Sequence, residues 1–329
     1  MKQPLAAQPA SRAVRHLART YLDQAQAACD RLDDPADTEA LHDFRVALRR
    51  LRSLLKAHKG YAKQWLSKKL RQRAKDLASS TGLARDTEVQ LAWLMTQQDR
   101  IKSHQRPGFL WMKERLQDRL GDEYADIRQA TPSAFKRFRK RMNERLDLDK
   151  DDDAPPFGRV TALRLTEAAE DFRAHLDQVK MGAAQEEVHQ ARIAGKRLRY
   201  LLEPVAKELE GGKDLIKELK EMQDLMGEIH DIQVFAEELA QASEEAGAER
   251  MRRMVELSLA RGQDDPDLQA ARRTDERAGL MSLARQLHDR QEHLMSRLTA
   301  KLEDGEAERF LAHLAQAAEQ LDVLAYPEG

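Results

Sequence analysis

The chain has 329 residues, enough for one large domain or two ordinary ones, each burying its own core. Hydrophobic residues make up 41%, charged residues 34% and aromatics 5%, with good helix formers dominating, which is the makeup of long helices with solvated outer faces. A formal net charge of −1 excludes a nucleic-acid coat that works by bulk charge, and the lone Cys29 excludes an internal disulfide.

Met1 to Ala13 contains Lys2, Pro4, Pro9 and Arg12 but no apolar core of signal-peptide length, and no later stretch approaches the roughly 18 apolar residues of a membrane span. The expectation is a soluble, cytoplasmic protein. Helical periodicity then runs almost throughout, and no segment alternates apolar and polar residues with enough β-branched content for a strand, so the expected class is all-α. Breaks are expected at Asp33-Asp34-Pro35, Arg106-Pro107-Gly108, Thr131-Pro132, Gly211-Gly212 and Asp264-Asp265-Pro266. The strongest is Asp147 to Gly158, where an acidic run ends in Pro155-Pro156. It reads as a solvated linker, with a metal-binding acidic loop as the alternative.

The two sides of that linker repeat each other. Leu41-His42-Asp43-Phe44-Arg45-Val46-Ala47-Leu48-Arg49-Arg50-Leu51-Arg52 returns as Val188-His189-Gln190-Ala191-Arg192-Ile193-Ala194-Gly195-Lys196-Arg197-Leu198-Arg199, and Gly82-Leu83-Ala84-Arg85-Asp86 returns as Gly227-Glu228-Ile229-His230-Asp231. Matched blocks in the same order imply a duplicated unit. The expected architecture is two antiparallel four-helix-type bundles, residues 10–150 and 158–325, related by a pseudo-two-fold axis. The helices at about 38–58 and 185–208 should lie close to that axis.

At about 100° per residue, His42, Arg45, Arg49, Arg52 and Lys56 share a stripe about 80° wide, beside an apolar face of Phe44, Leu48, Leu51 and Leu55. His189, Arg192, Lys196 and Arg199 form the same stripe beside Ala191, Leu198 and Leu202, with Glu203 standing where Lys56 would be. Lys68, Arg71 and Lys75 repeat the spacing on a third helix, whose counterpart keeps Lys213 and Lys220. From Arg45 to Lys75 there is no Asp or Glu at all, whereas a face charged only for solubility mixes both signs. Cations stacked this way repel one another, and an anion relieves them: Arg offers a planar fork to phosphate oxygens, Lys a point charge, and His a donor.

At these residues the chain resembles the CHAD domains, a family named for histidines in an α-helical domain. Its hallmark of His, Arg three residues on, and a Lys/Arg-Arg-Leu-Arg cluster is matched at His42–Arg52 and again at His189–Arg199. Its Gly-x-x-x-Asp block is matched at Gly82–Asp86 and Gly227–Asp231. The resemblance spans about residues 10–325. It implies one domain of two bundles flanking a basic groove or pore, non-catalytic binding of inorganic polyphosphate without a cofactor, and association with polyphosphate granules. The residues it points to are His42, Arg45, Arg49, Arg50, Arg52, Lys56, Lys68, Arg71, Lys75, His189, Arg192, Lys196, Arg197, Arg199, Lys213, Lys220 and His230. Departures are Gly195 inside the second hallmark helix, and Arg85 where the second copy has His230. The Glu-x-Glu-x-Lys start of the triphosphate-processing barrel often fused to such domains is not found.

Two other classes compete. Single-stranded nucleic acid would use the same cations, but the aromatic platforms that bases need are interleaved only at Tyr200 and in the run Phe135-Lys136-Arg137-Phe138-Arg139-Lys140-Arg141. A metal-dependent four-helix-bundle enzyme would use the Glu-x-x-His pairs Glu39/His42 and Glu186/His189, which also suit a helix's first turn. Asp86 and Asp231 read either as general bases or as carboxylates that orient a neighbouring cation. Arg115 and Arg119, on an unrepeated helix with acids nearby, are expected to be bystanders. His16, His58, His104, His175, His288, His293 and His313 share no pattern and read as surface or packing residues.

Overall fold

The computed structural model describes residues 3–34, 37–62, 66–147, 153–182, 185–260, 266, 269 and 275–326. The helices are α1 (Ala10–Cys29), α2 (Ala40–Ala57), α3 (Lys59–Ala62), α4 (Lys68–Ser79), α5 (Gly82–Thr96), α6 (Arg106–Leu146), α7 (Phe157–Lys180), α8 (Gln185–Leu202), α9 (Gly212–Ala260), α10 (Arg277–Glu303) and α11 (Glu306–Ala325). Among the described residues there is no strand, only an isolated bridge between Pro9 and Pro156, as the all-α expectation requires. No described helix is long and apolar enough to cross a membrane.

Local chemistry sets the ends. Asp37 accepts the backbone N–H groups of Glu39 and Ala40 at 3.1 and 3.0 Å and opens α2, and Ser67 Oγ accepts the Leu70 N–H at 3.2 Å and opens α4. The second hallmark helix stops at Leu202, earlier than expected, two residues before Pro204, which has no N–H to continue the ladder. The breaks expected at Arg106-Pro107-Gly108 and Gly211-Gly212 fall at helix starts, and Asp33-Asp34 and Pro155-Pro156 lie between helices, while Pro35, residues 148–152, Asp264 and Asp265 lie outside the described residues. The break expected at Thr131-Pro132 is absent: α6 runs through Pro132. A proline in a helix costs about 3 kcal/mol, and here the helix carries Thr131, Phe135, Phe138 and Met142 into the core on one face, which offsets that cost.

The chain divides into two compact units, and the division cuts across the halves of the sequence: each unit takes segments from both sides of the linker. The first comprises Met1–Leu83, Ala125–Gly227 and Arg297–Gly329, and the second Ala84–Tyr124 and Glu228–Ser296. In the first unit α1 pairs with α2, and α7 pairs with α8 and α11. Direct α2–α8 and α1–α7 contacts join the pairs. The apolar face read from the sequence is the one that packs, since Phe44, Leu48, Leu51, Leu55, Ala191, Leu198 and Leu202 are all buried. Gly195 has a packing reason. A Cβ there would lie 3.2 Å from the Phe172 ring, and the buried Gln223 amide donates to the Gly195 carbonyl at 2.6 Å.

In the second unit α6 and α10 cross at Gly108 and Gly279, where a Cβ would come within 2.0 Å of the Glu276 carbonyl oxygen and 2.2 Å of the Gln105 carbonyl oxygen respectively. Trp93 meets Phe235 edge-on at 5.4 Å. Arg115 pairs with Glu238 and, at 2.9 Å, with Glu245, while Arg119 pairs with Glu238 at 2.7 Å and donates to Gln90 at 2.9 Å. Arg115 and Arg119 are part of a half-buried ion cluster within this unit.

His58, at the C-terminal end of α2, is a packing residue as expected. It is 2% exposed, its ring is 5.0 Å from Phe157, and its Nδ1 has no hydrogen-bond partner among the described residues. Burial, assisted by the charge of Arg164, lowers its pKa from 6.5 to about 4. Between those values the unfolded chain binds a proton that the folded chain refuses. The His58 contribution is therefore complete above pH 6.5 and is lost as pH falls towards 4. In urea unfolding, the native chain should lose about 2 kcal/mol more than a His58→Phe variant between pH 7 and pH 5. Parallel profiles would contradict the assignment.

Candidate functional site

The two hallmark helices meet in the first unit, and their contact is where the charged residues gather. Arg50 Nε donates to Glu203 Oε2 at 2.7 Å, and Arg199 Nε lies 3.2 Å from Glu203 Oε1, so one carboxylate serves a guanidinium from α2 and another from α8. Burial lowers the Arg50 pKa, but the hydrogen bond and charge of Glu203 more than offset that and the net direction is up. Tyr21 on α1 borders the same cluster; burial and the Glu203 charge push its hydroxyl up to about 12. The buried Tyr200 sits between the helices, accepting from Arg199 Nη2 at 3.1 Å and more weakly from Arg49 Nη1 at 3.5 Å. The Arg199 guanidinium also lies 5.0 Å from the Tyr200 ring centre.

Along α2 the expected stripe emerges gradually. His42, Arg45 and Arg49 are half-buried, whereas Arg52 and Lys56 are exposed. Arg45 Nη1 donates to the Ala78 carbonyl at 3.2 Å and to Thr81 Oγ1 at 3.0 Å, placing a cation at the C-terminal end of α4, where the helix dipole favours one. Partial burial and then the charge of Arg49 lower the Arg52 pKa: the fold holds these two cations close enough to repel. On α8, His189, Arg192 and Lys196 are half-buried, and Arg197 pairs with Asp171 of α7 at 2.8 Å. Lys68, Arg71 and Lys75 on α4, which packs on α2, and Lys213 and Lys220 at the start of α9 are exposed.

A cleft of about 530 Å³ opens beside the C-terminal end of α2, lined by Lys56, Lys59, Arg164 and Arg197 with Tyr200 and Leu201 at its wall. The sequence pattern did not pick out Arg164 or Asp171 for this region, because α7 reaches the site through tertiary packing and carries no repeated motif. The link between Arg199 and Glu203, four residues apart on one chain segment, was visible in principle; that between Arg50 and Glu203 was not.

His230 and Asp231 belong to the second unit. Asp231 lines a cleft of about 600 Å³ there with Trp93, Phe235 and Arg290 among others, and Asp86 is exposed on α5. Of the carboxylates of the metal reading, Glu186 accepts from Gln190 at 2.5 Å. Among the described residues no three His, Cys, Asp or Glu side chains stand close enough to share a metal ion.

All-helical architecture with paired His- and Arg-bearing helices in contact defines a helical domain organised around a cationic seam. The family model of the CHAD domain matches residues 16–240, more than half of the chain, and the protein belongs to that family. The structure is similar to the crystal structure of the CHAD domain from the plant Ricinus communis, at 22% identity and a TM-score of 0.61, over 81% of this chain and 92% of that one. It is also similar to PptA from Streptomyces chartreusis, at 14% identity and a TM-score of 0.54, over 95% of this chain and all of that one. These likenesses concern the fold. No curated protein matches the sequence.

Glu203 is the residue on which the seam turns. With Glu203→Ala, the Arg50 and Arg199 guanidiniums, 33% and 16% exposed, would face each other across α2 and α8 without their shared carboxylate. The variant should lose about 1–3 kcal/mol of stability in urea unfolding. A loss below about 0.5 kcal/mol, the range of an ordinary surface change, would contradict this role.

Proposed function

We propose that this protein binds inorganic polyphosphate, without catalysis, along the cationic faces of α2, α4 and α8. The observation that carries the reading is the placement of Arg49 and Arg52 one turn apart on α2, with Arg52 exposed and its pKa lowered by partial burial and then by the Arg49 charge. Exposed Lys56, Lys68, Arg71 and Lys75 continue that face on α2 and α4. Such repulsion is relieved by a run of phosphates, each neutralising one or two side chains. Family membership supports the same chemistry, since the His- and Arg-bearing motifs at His42 and His189 are those that the family's polyphosphate binding is associated with. The repeated blocks support a duplicated groove in which Arg192 and Lys196 of α8 mirror Arg45 and Arg49 of α2. A cytoplasmic protein that associates with polyphosphate granules would use such a groove. His230 lies in the second unit and the reading does not need it.

The nucleic-acid reading loses ground on one observation. Phe135 and Phe138, the aromatics interleaved with the basic run of α6, are 0% and 1% exposed, and Tyr200 is 5% exposed, so none of these rings offers a face to a base.

If some six to eight cations neutralise successive phosphates, log affinity should fall with log salt at a slope of roughly −4 to −6. Arg49→Glu with Arg52→Glu should weaken binding of long-chain polyphosphate at least about tenfold, some 1.4 kcal/mol, and make that slope shallower by about 1.4 or more. The exposed pair Arg252 and Arg253 on α9 is the suitable control, because Arg115 and Arg119 hold the second unit's ion cluster. Equal losses from both double variants in fluorescence titrations would mean that only net charge matters.

A further inference from the structure

The basic run of α6 is only partly explained by the α2–α8 seam. Its phenylalanines are core, and Phe135 meets Phe44 edge-on at 5.2 Å. Arg139 pairs with Asp23 at 2.6 Å. Arg137 and Arg141, one helical turn apart and both exposed, form no ion pair among the described residues. They border a cleft of about 400 Å³ between α4 and the C-terminal part of α6, facing Arg73 of α4 across it. The floor is apolar, formed by Leu77 and Phe138, and small Ala130 and Ala134 leave the space open. The one carboxylate of the lining, Asp76, already accepts the Gln72 amide at 2.8 Å. The cleft thus holds three guanidiniums against one occupied acid. At about 100° per residue, Arg73 lies on the far side of α4 from Lys68, Arg71 and Lys75, so this is not the edge of the α2 stripe.

We propose that this cleft is a second anion site, which takes a short condensed-phosphate group on Arg73, Arg137 and Arg141. Arginines from two helices line one small volume, which suits an anion with several oxygens. A volume near the lower end of the range for ligand pockets fits a few linked phosphates rather than a folded polymer. Buried aromatics leave nothing for a base to stack on, which favours phosphate without nucleoside. The inference does not depend on the α2–α8 reading, although one long polymer occupying both places would gain avidity.

Calorimetric titration of the full chain with tripolyphosphate at low salt tests it, using the native chain and three double variants whose helicity is checked by circular dichroism. Arg137→Gln with Arg141→Gln should remove one binding event or weaken it at least tenfold, and Arg137→Lys with Arg141→Lys, which keeps the charge, should restore much of it. Arg49→Gln with Arg52→Gln should leave that event intact. Tripolyphosphate binding by the Arg137→Gln, Arg141→Gln variant with native stoichiometry and affinity would overturn the cleft assignment and leave the seam reading standing. If instead the Arg49→Gln, Arg52→Gln variant binds both tripolyphosphate and long polyphosphate as the native chain does, the seam reading fails while the cleft stands.

Discussion

Like charges have to be brought together wherever α2 packs on α8, and one carboxylate makes that tolerable. Burying Phe44, Leu48 and Leu51 on α2, and Ala191, Leu198 and Leu202 on α8, carries Arg49, Arg50 and Arg199 inward with them, because these side chains leave the same helices a fraction of a turn away. Glu203 answers two of those cations and Tyr200 accepts from two. Beyond that internal settlement, Arg52 and Lys56 on α2 and Lys68, Arg71 and Lys75 on α4 are exposed and form no ion pair among the described residues.

This arrangement also makes the two hallmark helices unequal. Glu203 occupies the place that Lys56 holds in the first copy, and Arg197 is tied to Asp171, whereas Arg52 and Lys56 point outward. The departure at Gly195 goes with the close approach of Phe172 and Gln223. Similar sequence blocks therefore differ in their surroundings: Arg197 and Arg199 of the second are engaged by Asp171 and Glu203, while Arg52 and Lys56 of the first are exposed.

How much of this the sequence disclosed follows from the range of the interactions concerned. The helices, the apolar faces and the stripe from His42 to Lys56 are local patterns with a period of 3.6, and the structure places all of those apolar residues inside. Pro132 misled because a local breaker competes with burial of Phe135, Phe138 and Met142, which only the packed structure can weigh. The Arg50–Glu203 and Arg197–Asp171 pairs join residues distant in sequence, and so do the Arg115 and Arg119 contacts to Glu238; charge patterning along one chain carries no trace of them. The division into units was hidden for the same reason, since packing gathers segments from both sides of the linker.

The central claim is that this surface recognises a dense line of phosphates rather than a nucleic-acid strand. Direct competition at fixed salt, with long-chain polyphosphate and single-stranded DNA supplied at equal phosphate charge, separates the two. Polyphosphate should displace the DNA well before charge equivalence, because its phosphates are closer together and no exposed aromatic rewards a base. DNA that holds its place against an equal charge of polyphosphate would contradict the account.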